Sequence, residues 1–145
     1  MNNDTILFRR LSKEGNLCIP AYPGDAGMDV TVSEDCLLVA GQVTKVELGI
    51  AIAVPSHLAF TFLTRSSAVA MGLFVLPTLI DSGYRGPLFL FVLNTQHFNI
   101  KIERGKRIAQ VLLLHNHAPV DIQLVDELPA SDRGHNGFGS SGGGM

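Results

Sequence analysis

The sequence predicts an all-β domain, a sandwich or a barrel with one very short helix. Three observations carry this: apolar residues recur with a period of two, turn residues separate the runs, and no long helical stripe competes. Val46, Leu48, Ile50, Ile52 and Val54 alternate with Glu47, Gly49, Ala51 and Ala53. Phe98, Ile100 and Ile102 alternate with Asn99, Lys101 and Glu103, and Val120, Ile122 and Leu124 with Asp121 and Gln123. Residues 58–63 read as a further strand. Pro55-Ser56, Asp81-Ser82-Gly83, Asn94-Thr95-Gln96, Gly105-Lys106 and His117-Ala118-Pro119 punctuate the runs. The stretch 86–94 is apolar on both strand faces, which predicts a strand covered on each side, one cover being another subunit. The helix falls at Ser66-Ser67-Ala68-Val69-Ala70-Met71, where cap residues precede good helix formers and Gly72 ends the run.

The chain has 145 residues, the length of one domain. Its 11 Lys and Arg against 13 Asp and Glu give a net charge of −2. That sign and size exclude a general nucleic-acid binder, whose affinity rests on neutralising phosphate. Charged residues are 17% of the chain and AVILMFWYC residues 46%, a balance that excludes disorder as the main state. The longest apolar run, Pro87 to Leu93, is far short of a membrane span. The first residues hold no basic segment followed by a long apolar stretch, so the expected location is the cytoplasm, or the host-cell interior if the source is viral. Cys18 and Cys36 make neither a disulfide scaffold nor a zinc site, and the five histidines have no ligand spacing.

Five stretches offer chemistry. Arg133-Gly134-His135-Asn136-Gly137-Phe138-Gly139-Ser140-Ser141-Gly142 places glycines where consecutive N–H groups converge on an anion, with an arginine to clamp phosphate and one Phe as a stacking platform. It is not a Walker A loop, because Gly-Lys-Ser/Thr is missing. Thr64-Arg65-Ser66-Ser67-Ala68 runs a strand into a short helix, a second place for an anion. In the 77–86 stretch an apolar strand ends in Asp81, a carboxylate able to polarise water, with the Tyr84 ring beside it. Asp29 opens a strand after the turn Asp25-Ala26-Gly27, and Gln110 ends the run Gly105-Lys106-Arg107-Ile108-Ala109. Each stretch alone also reads as an ordinary cap, turn or tail.

Taken together and in this order, they resemble the five motifs of the trimeric dUTP pyrophosphatases (dUTPases), over residues 25–142. The resemblance implies a jelly-roll-like β-barrel over 1–128 and a glycine-rich arm over 129–145 that closes on a neighbour's active site in a homotrimer. It implies hydrolysis of dUTP to dUMP and diphosphate, which limits uracil in DNA and supplies dUMP for thymidylate synthesis. Asp81 would activate the water and meet the 3′-hydroxyl, and Tyr84 would stack on the sugar. Ile80 would line the same pocket. Arg65, Ser66, Ser67 and Gln110 would hold phosphate. Asp29 would hold a water on a Mg²⁺ chelated by the phosphates. From the arm, Phe138 would cover the uracil, Arg133 would neutralise charge, and Gly139, Ser140 and Ser141 would cradle the phosphates. No nucleic acid and no membrane is expected as a partner.

Two departures stand out. Leu76-Pro77-Thr78 replaces a glycine-rich stretch, and Pro77 has no N–H for reading a base. Met71 and Lys106 stand where a basic and an acidic residue are more common. Two rival readings are a related dCTP deaminase and a binding or regulatory protein on the same barrel. A deaminase needs a proton-shuttling glutamate and a further arginine where this chain has Phe91 and Ala70. Every catalytic position that the resemblance implies holds a competent residue, which argues against a barrel that only binds.

Overall fold

In the computed structural model, which describes residues 5–136, the alternating runs become antiparallel strands. In chain order they are β1 (Leu7–Arg10), β2 (Gly27–Val30), β3 (Cys36–Leu38), β4 (Val43–Glu47), β5 (Ile50–Ala53) and β6 (Leu58–Thr64). After the helix α1 (Ser66–Ala70) come β7 (Leu73–Val75), β8 (Leu79–Ile80), β9 (Phe89–Asn94), β10 (Ile100–Ile102) and β11 (Ala109–His115). The largest sheet runs β2-β11-β6-β8, a second runs β4-β9-β7, and β1-β5 and β3-β10 are two-stranded ladders. This is the expected all-β architecture with one helix of five residues.

The core lies where the buried halves of these strands meet. Phe60 and Phe62 from β6 meet edge to face at 6.1 Å and pack with Val46, Leu48, Ile50, Leu73, Leu90, Val92 and Val111. Their period-two neighbours point outward, so the pattern of burial along β6 and β11 decides which residues face the site.

Three sequence expectations are corrected. The run from Val46 to Val54 is two strands. Gly49 has φ of +63°, a left-handed conformation that glycine adopts at no steric cost. Its carbonyl accepts from the N–H groups of Leu11 and Ser12 at 2.8 and 3.2 Å. The strand expected from residue 86 begins at Phe89, because the Leu88 main chain exchanges bonds with Leu48 and Ile50 across the break. The alternation Val120, Ile122, Leu124 forms no strand, and these side chains are 64%, 90% and 102% exposed. The helix lies where expected and ends at Gly72, with φ of +79°. Cys18 and Cys36 are both free thiols, and burial pushes the Cys36 thiol above its ordinary pKa.

Asn94 ties the second sheet together. It is fully buried at the end of β9. Its Nδ2 donates to the carbonyls of Leu38 and Phe98, each at 2.9 Å, and its Oδ1 accepts from the Gln96 N–H at 3.0 Å. Asn94→Leu leaves these three main-chain groups without their partner and should cost about 3 kcal/mol. Equilibrium urea unfolding at fixed protein concentration reads this directly. A loss below about 0.5 kcal/mol, the size of an ordinary surface change, is inconsistent with that role.

Candidate active site

The register of β11 builds one half of the site. Ala109 and Val111 are buried, which turns Gln110 to the opposite face. Gln110 pairs with Asp29 on β2 and with Leu63 on β6, so the carboxylate and the amide are cross-strand neighbours on one face. Gly27 leaves room beside them: a Cβ there would lie 1.9 Å from Gln110 Oε1. Past the end of β6 the Arg65 N–H donates to the Ile108 carbonyl at 3.0 Å, which brings the start of α1 to the same end of the sheet. Asp29, Arg65, Ser66 and Gln110 thereby line a cavity of about 550 Å³, walled by the 18–22 loop and Asp25.

Charge organises this cavity. Asp29 Oδ1 lies 3.1 Å from Arg65 Nε, and its Oδ2 lies 3.4 Å from Arg107 Nη1. Arg65 Nη1 also donates to the Arg107 carbonyl at 3.1 Å. One carboxylate therefore faces two guanidinium groups, and four residues expected to act on phosphate or metal come together on a single chain. Ser67 differs: it lines a neighbouring hollow of about 350 Å³ with Lys101, Lys106 and Arg107.

The remaining described candidates line a separate cavity, apart from Arg133. Ile80, Asp81 and Tyr84 line a cavity of about 270 Å³ together with Thr78 and the apolar side chains of Phe62, Phe89 and Phe91. No residue lines both this cavity and the one around Asp29. Tyr84 is fixed as a platform. Its hydroxyl donates to the Pro87 carbonyl at 3.0 Å, and its ring covers Gly86, where a Cβ would lie 2.6 Å from Cζ. The Tyr84 N–H also closes a turn on the Asp81 carbonyl at 3.1 Å. Asp81 is exposed at the rim, and among the described residues its carboxylate has neither an ion-pair nor a hydrogen-bond partner. Phe91 supplies an apolar ring on the wall, which cannot shuttle a proton as the deaminase reading requires.

Arg133 sits in an exposed turn, where its Nε donates to the Asn136 carbonyl at 2.6 Å, and it lines neither cavity. Phe138, Gly139, Ser140 and Ser141 lie outside the described residues. Arg107 lines the cavity around Asp29 and was not singled out by sequence reasoning. It stands within a quoted motif, but an ion pair to Asp29 across 78 positions has no local signature. Among the described residues no helix is long and apolar enough to cross a membrane.

A family model described as dUTPase matches residues 13–142. Among curated relatives, the deoxyuridine 5'-triphosphate nucleotidohydrolase of Thermobifida fusca is 42% identical over 140 residues, covering 94% of this chain and 78% of its own. That of Zymomonas mobilis is 38% identical, covering 93% and 95%. A mutant dUTPase of Staphylococcus bacteriophage 80alpha with dUpNHpp superposes with a TM-score of 0.86 at 24% identity, over 95% of this chain and 98% of that one. A mutant dUTPase from phage phi11 of S. aureus, described with a structural Mg(II) ion, gives a TM-score of 0.78 at 20% identity, over 87% and 99%. These phage structures share the fold. With the family model spanning residues 13–142 and curated relatives matching over more than nine-tenths of this chain, the chain belongs to the dUTPase family.

Proposed function

We propose that this protein hydrolyses dUTP to dUMP and diphosphate by attack of water on the α-phosphorus, in active sites shared between the subunits of a homotrimer. The observation that carries the reading is the division of the site into two unlike halves. The cavity around Asp29 holds the groups that grip a polyanion, and the cavity around Asp81 holds a free carboxylate, a ring and apolar walls suited to a deoxynucleoside. Neither half is complete alone. A homotrimer completes each site by setting the first cavity of one protomer against the second of its neighbour.

Two features support an assembly. On the sheet β4-β9-β7, Val43, Leu93 and Phe74 stand opposite one another in register, and Val43, Phe74 and Phe91 are 50%, 42% and 37% exposed. An apolar sheet face of this kind is what a subunit interface covers. The exposed alternation at 120–124 is likewise a strand pattern with no strand partner among the described residues. In this reading residues 1–128 form the barrel, and residues 129–145 form an arm that carries Arg133, Phe138, Gly139, Ser140 and Ser141 to a neighbour's site.

In the assembled site Asp81 accepts the proton of the attacking water, orients it towards the α-phosphorus, and accepts a hydrogen bond from the 3′-hydroxyl. Tyr84 stacks on the sugar and leaves no room for a 2′-hydroxyl. Arg65, Ser66 and Gln110 hold the phosphates in the cavity around Asp29, with Ser66 near the α–β bridge where leaving-group charge develops, and Ser67 reaches them from the adjoining hollow. Positioning and charge stabilisation of this kind account for most of phosphoryl-transfer catalysis.

The donor set of the described residues suits a Mg²⁺ met through water and not one held directly by the protein. Among the described residues no group of three or more His, Cys, Asp or Glu is arranged to hold a metal ion. Asp29 spends one lone pair of each oxygen on an arginine and keeps capacity for a water. This fits an ion chelated by the nucleotide's own phosphates and met by Asp29 through water, since Mg²⁺ gives up its waters reluctantly. When bound, Mg²⁺ neutralises phosphate charge. The place of action in this reading is the cytoplasm.

Diphosphate release from equal concentrations of dUTP, dTTP, dCTP and UTP with Mg²⁺ is the direct test. dUTP should dominate by orders of magnitude, and absence of release from dUTP sinks the reading. Asp81→Asn should lower kcat by about 10²–10⁴-fold with little change in nucleotide affinity; near-parental turnover removes the role given to Asp81. A chain ending at Leu128 should lose most turnover while keeping its fold by circular dichroism. If it works at the rate of the intact chain, the arm has no catalytic part.

A further inference from the structure

We infer that Arg107 is a positioning residue of the phosphate cavity, setting the orientation of Arg65 through Asp29 and through its own carbonyl. The inference rests on the dUTP-hydrolase reading for its ligand and on the contacts of Asp29, Arg65 and Arg107 for its residues. Arg65 has a long side chain with a large rotamer entropy, and a phosphate clamp works only when its fork is aimed. Here two contacts aim it. Nε meets Asp29 Oδ1 at 3.1 Å, and Nη1 donates to the Arg107 carbonyl at 3.1 Å. Among the described residues that leaves Nη2 uncommitted on a guanidinium that lines the cavity.

Arg107 holds both of those partners in place. Its guanidinium binds the second oxygen of the same carboxylate, with Nη1 3.4 Å from Asp29 Oδ2. Asp29 is thus gripped from both sides and cannot swing away from Arg65 without leaving Arg107. The carbonyl of Arg107 is anchored by the turn before it, where the Gly105 N–H donates to Val32 at 2.7 Å and the Val32 N–H to Lys106 at 2.8 Å. Val32 is fully buried, so this turn is fastened to the core. The Arg107 side chain is half exposed, that of Asp29 only 20%. Removing the Arg107 guanidinium therefore disturbs the cavity and leaves the core packing untouched.

The test is a double-mutant cycle between Arg107→Gln and Asp29→Asn, read by steady-state kinetics on dUTP with Mg²⁺ and by calorimetric binding of dUpNHpp to the full chain. Arg107→Gln should raise KM and the dissociation constant of dUpNHpp about tenfold with kcat within about threefold, the pattern of lost uniform binding. Arg107→Lys keeps the charge but loses the fork and should fall between. In the Asp29→Asn background the same change should add less than about twofold, because the carboxylate through which it acts is gone. Parental affinity for Arg107→Gln, losses that multiply across the cycle, or a fall in kcat at constant KM each overturn the inference. A parental protein that binds dUpNHpp yet releases no diphosphate overturns the hydrolase reading alone, and the binding cycle still decides on Arg107. One that binds no nucleotide overturns both.

Discussion

The ladder that β11 forms with β2 on one side and β6 on the other is the constraint on which the phosphate cavity depends. Side chains alternate faces along a strand, so a slip of one residue would exchange buried and outward sets. Ala109, Val111, Val30 and Phe62 are all almost fully buried, and an exchanged register would place Gln110 and Asp29 in the core in their stead. The hydrophobic demand of four buried residues therefore sets where two polar ones point. Arg65 follows directly from the end of β6 and inherits the same register. Packing energy is what places the chemistry.

The second sheet answers a different demand. Its inner face closes the core through Leu90 and Val92, and Asn94 ties its end to the Leu38 and Phe98 carbonyls. Its outer face keeps Val43, Phe74 and Phe91 in water. The charged side chains on that face partly cover the rings: Lys45 sits 4.3 Å from the Phe89 centroid and pairs with Glu47 at 3.0 Å. A chain with only 17% charged residues has few such covers to deploy. In the proposed homotrimer, association covers this face instead, and it brings Asp81 of one subunit to Arg65 of another, which line separate cavities on one chain.

How much of this was legible in the sequence depended on how local the cause is. The strand at residues 58–63, the alternation through Ile100 and Ile102 and the helix ending at Gly72 are local patterns, and strands and a helix lie there, although the N-cap is Arg65 with no side-chain cap bond. The break at Gly49 was hidden inside a clean alternation, because a left-handed glycine leaves the hydrophobic pattern undisturbed. The failure of Val120, Ile122 and Leu124 to form a strand has the opposite cause: the pattern is right and a partner is missing. At the site, Asp29, Arg65, Ser66 and Gln110 were found through motifs and do converge. Ser67, one residue beyond Ser66, turns into the neighbouring hollow, a consequence of helical geometry at the first turn of α1. Arg107 escaped because its role depends on a contact made across the sheet.

Charge counting then explains why the remaining parts of the site are needed. The cavity around Asp29 holds two arginines, Arg65 and Arg107, against two aspartates, Asp25 and Asp29, and is formally neutral. A nucleoside triphosphate brings several negative charges into it. Asp25 is held by the Tyr22 N–H at 3.1 Å and Asp29 by its two arginines, so neither carboxylate leaves. A neutral cavity aims donors well but attracts a polyanion weakly. The missing positive charge has two sources in the proposed assembly, the chelated Mg²⁺ and Arg133 of a neighbour's arm. Both arrive with the nucleotide or close upon it, so a bare anion meets a neutral site and only the metal-bound substrate under a closed arm meets a positive one. In the proposed assembly, discrimination between a metal-bound triphosphate and a free anion would follow from pairing the arginines in advance, with Asp29 aiming Arg65 before binding and keeping lone-pair capacity for a water on the metal.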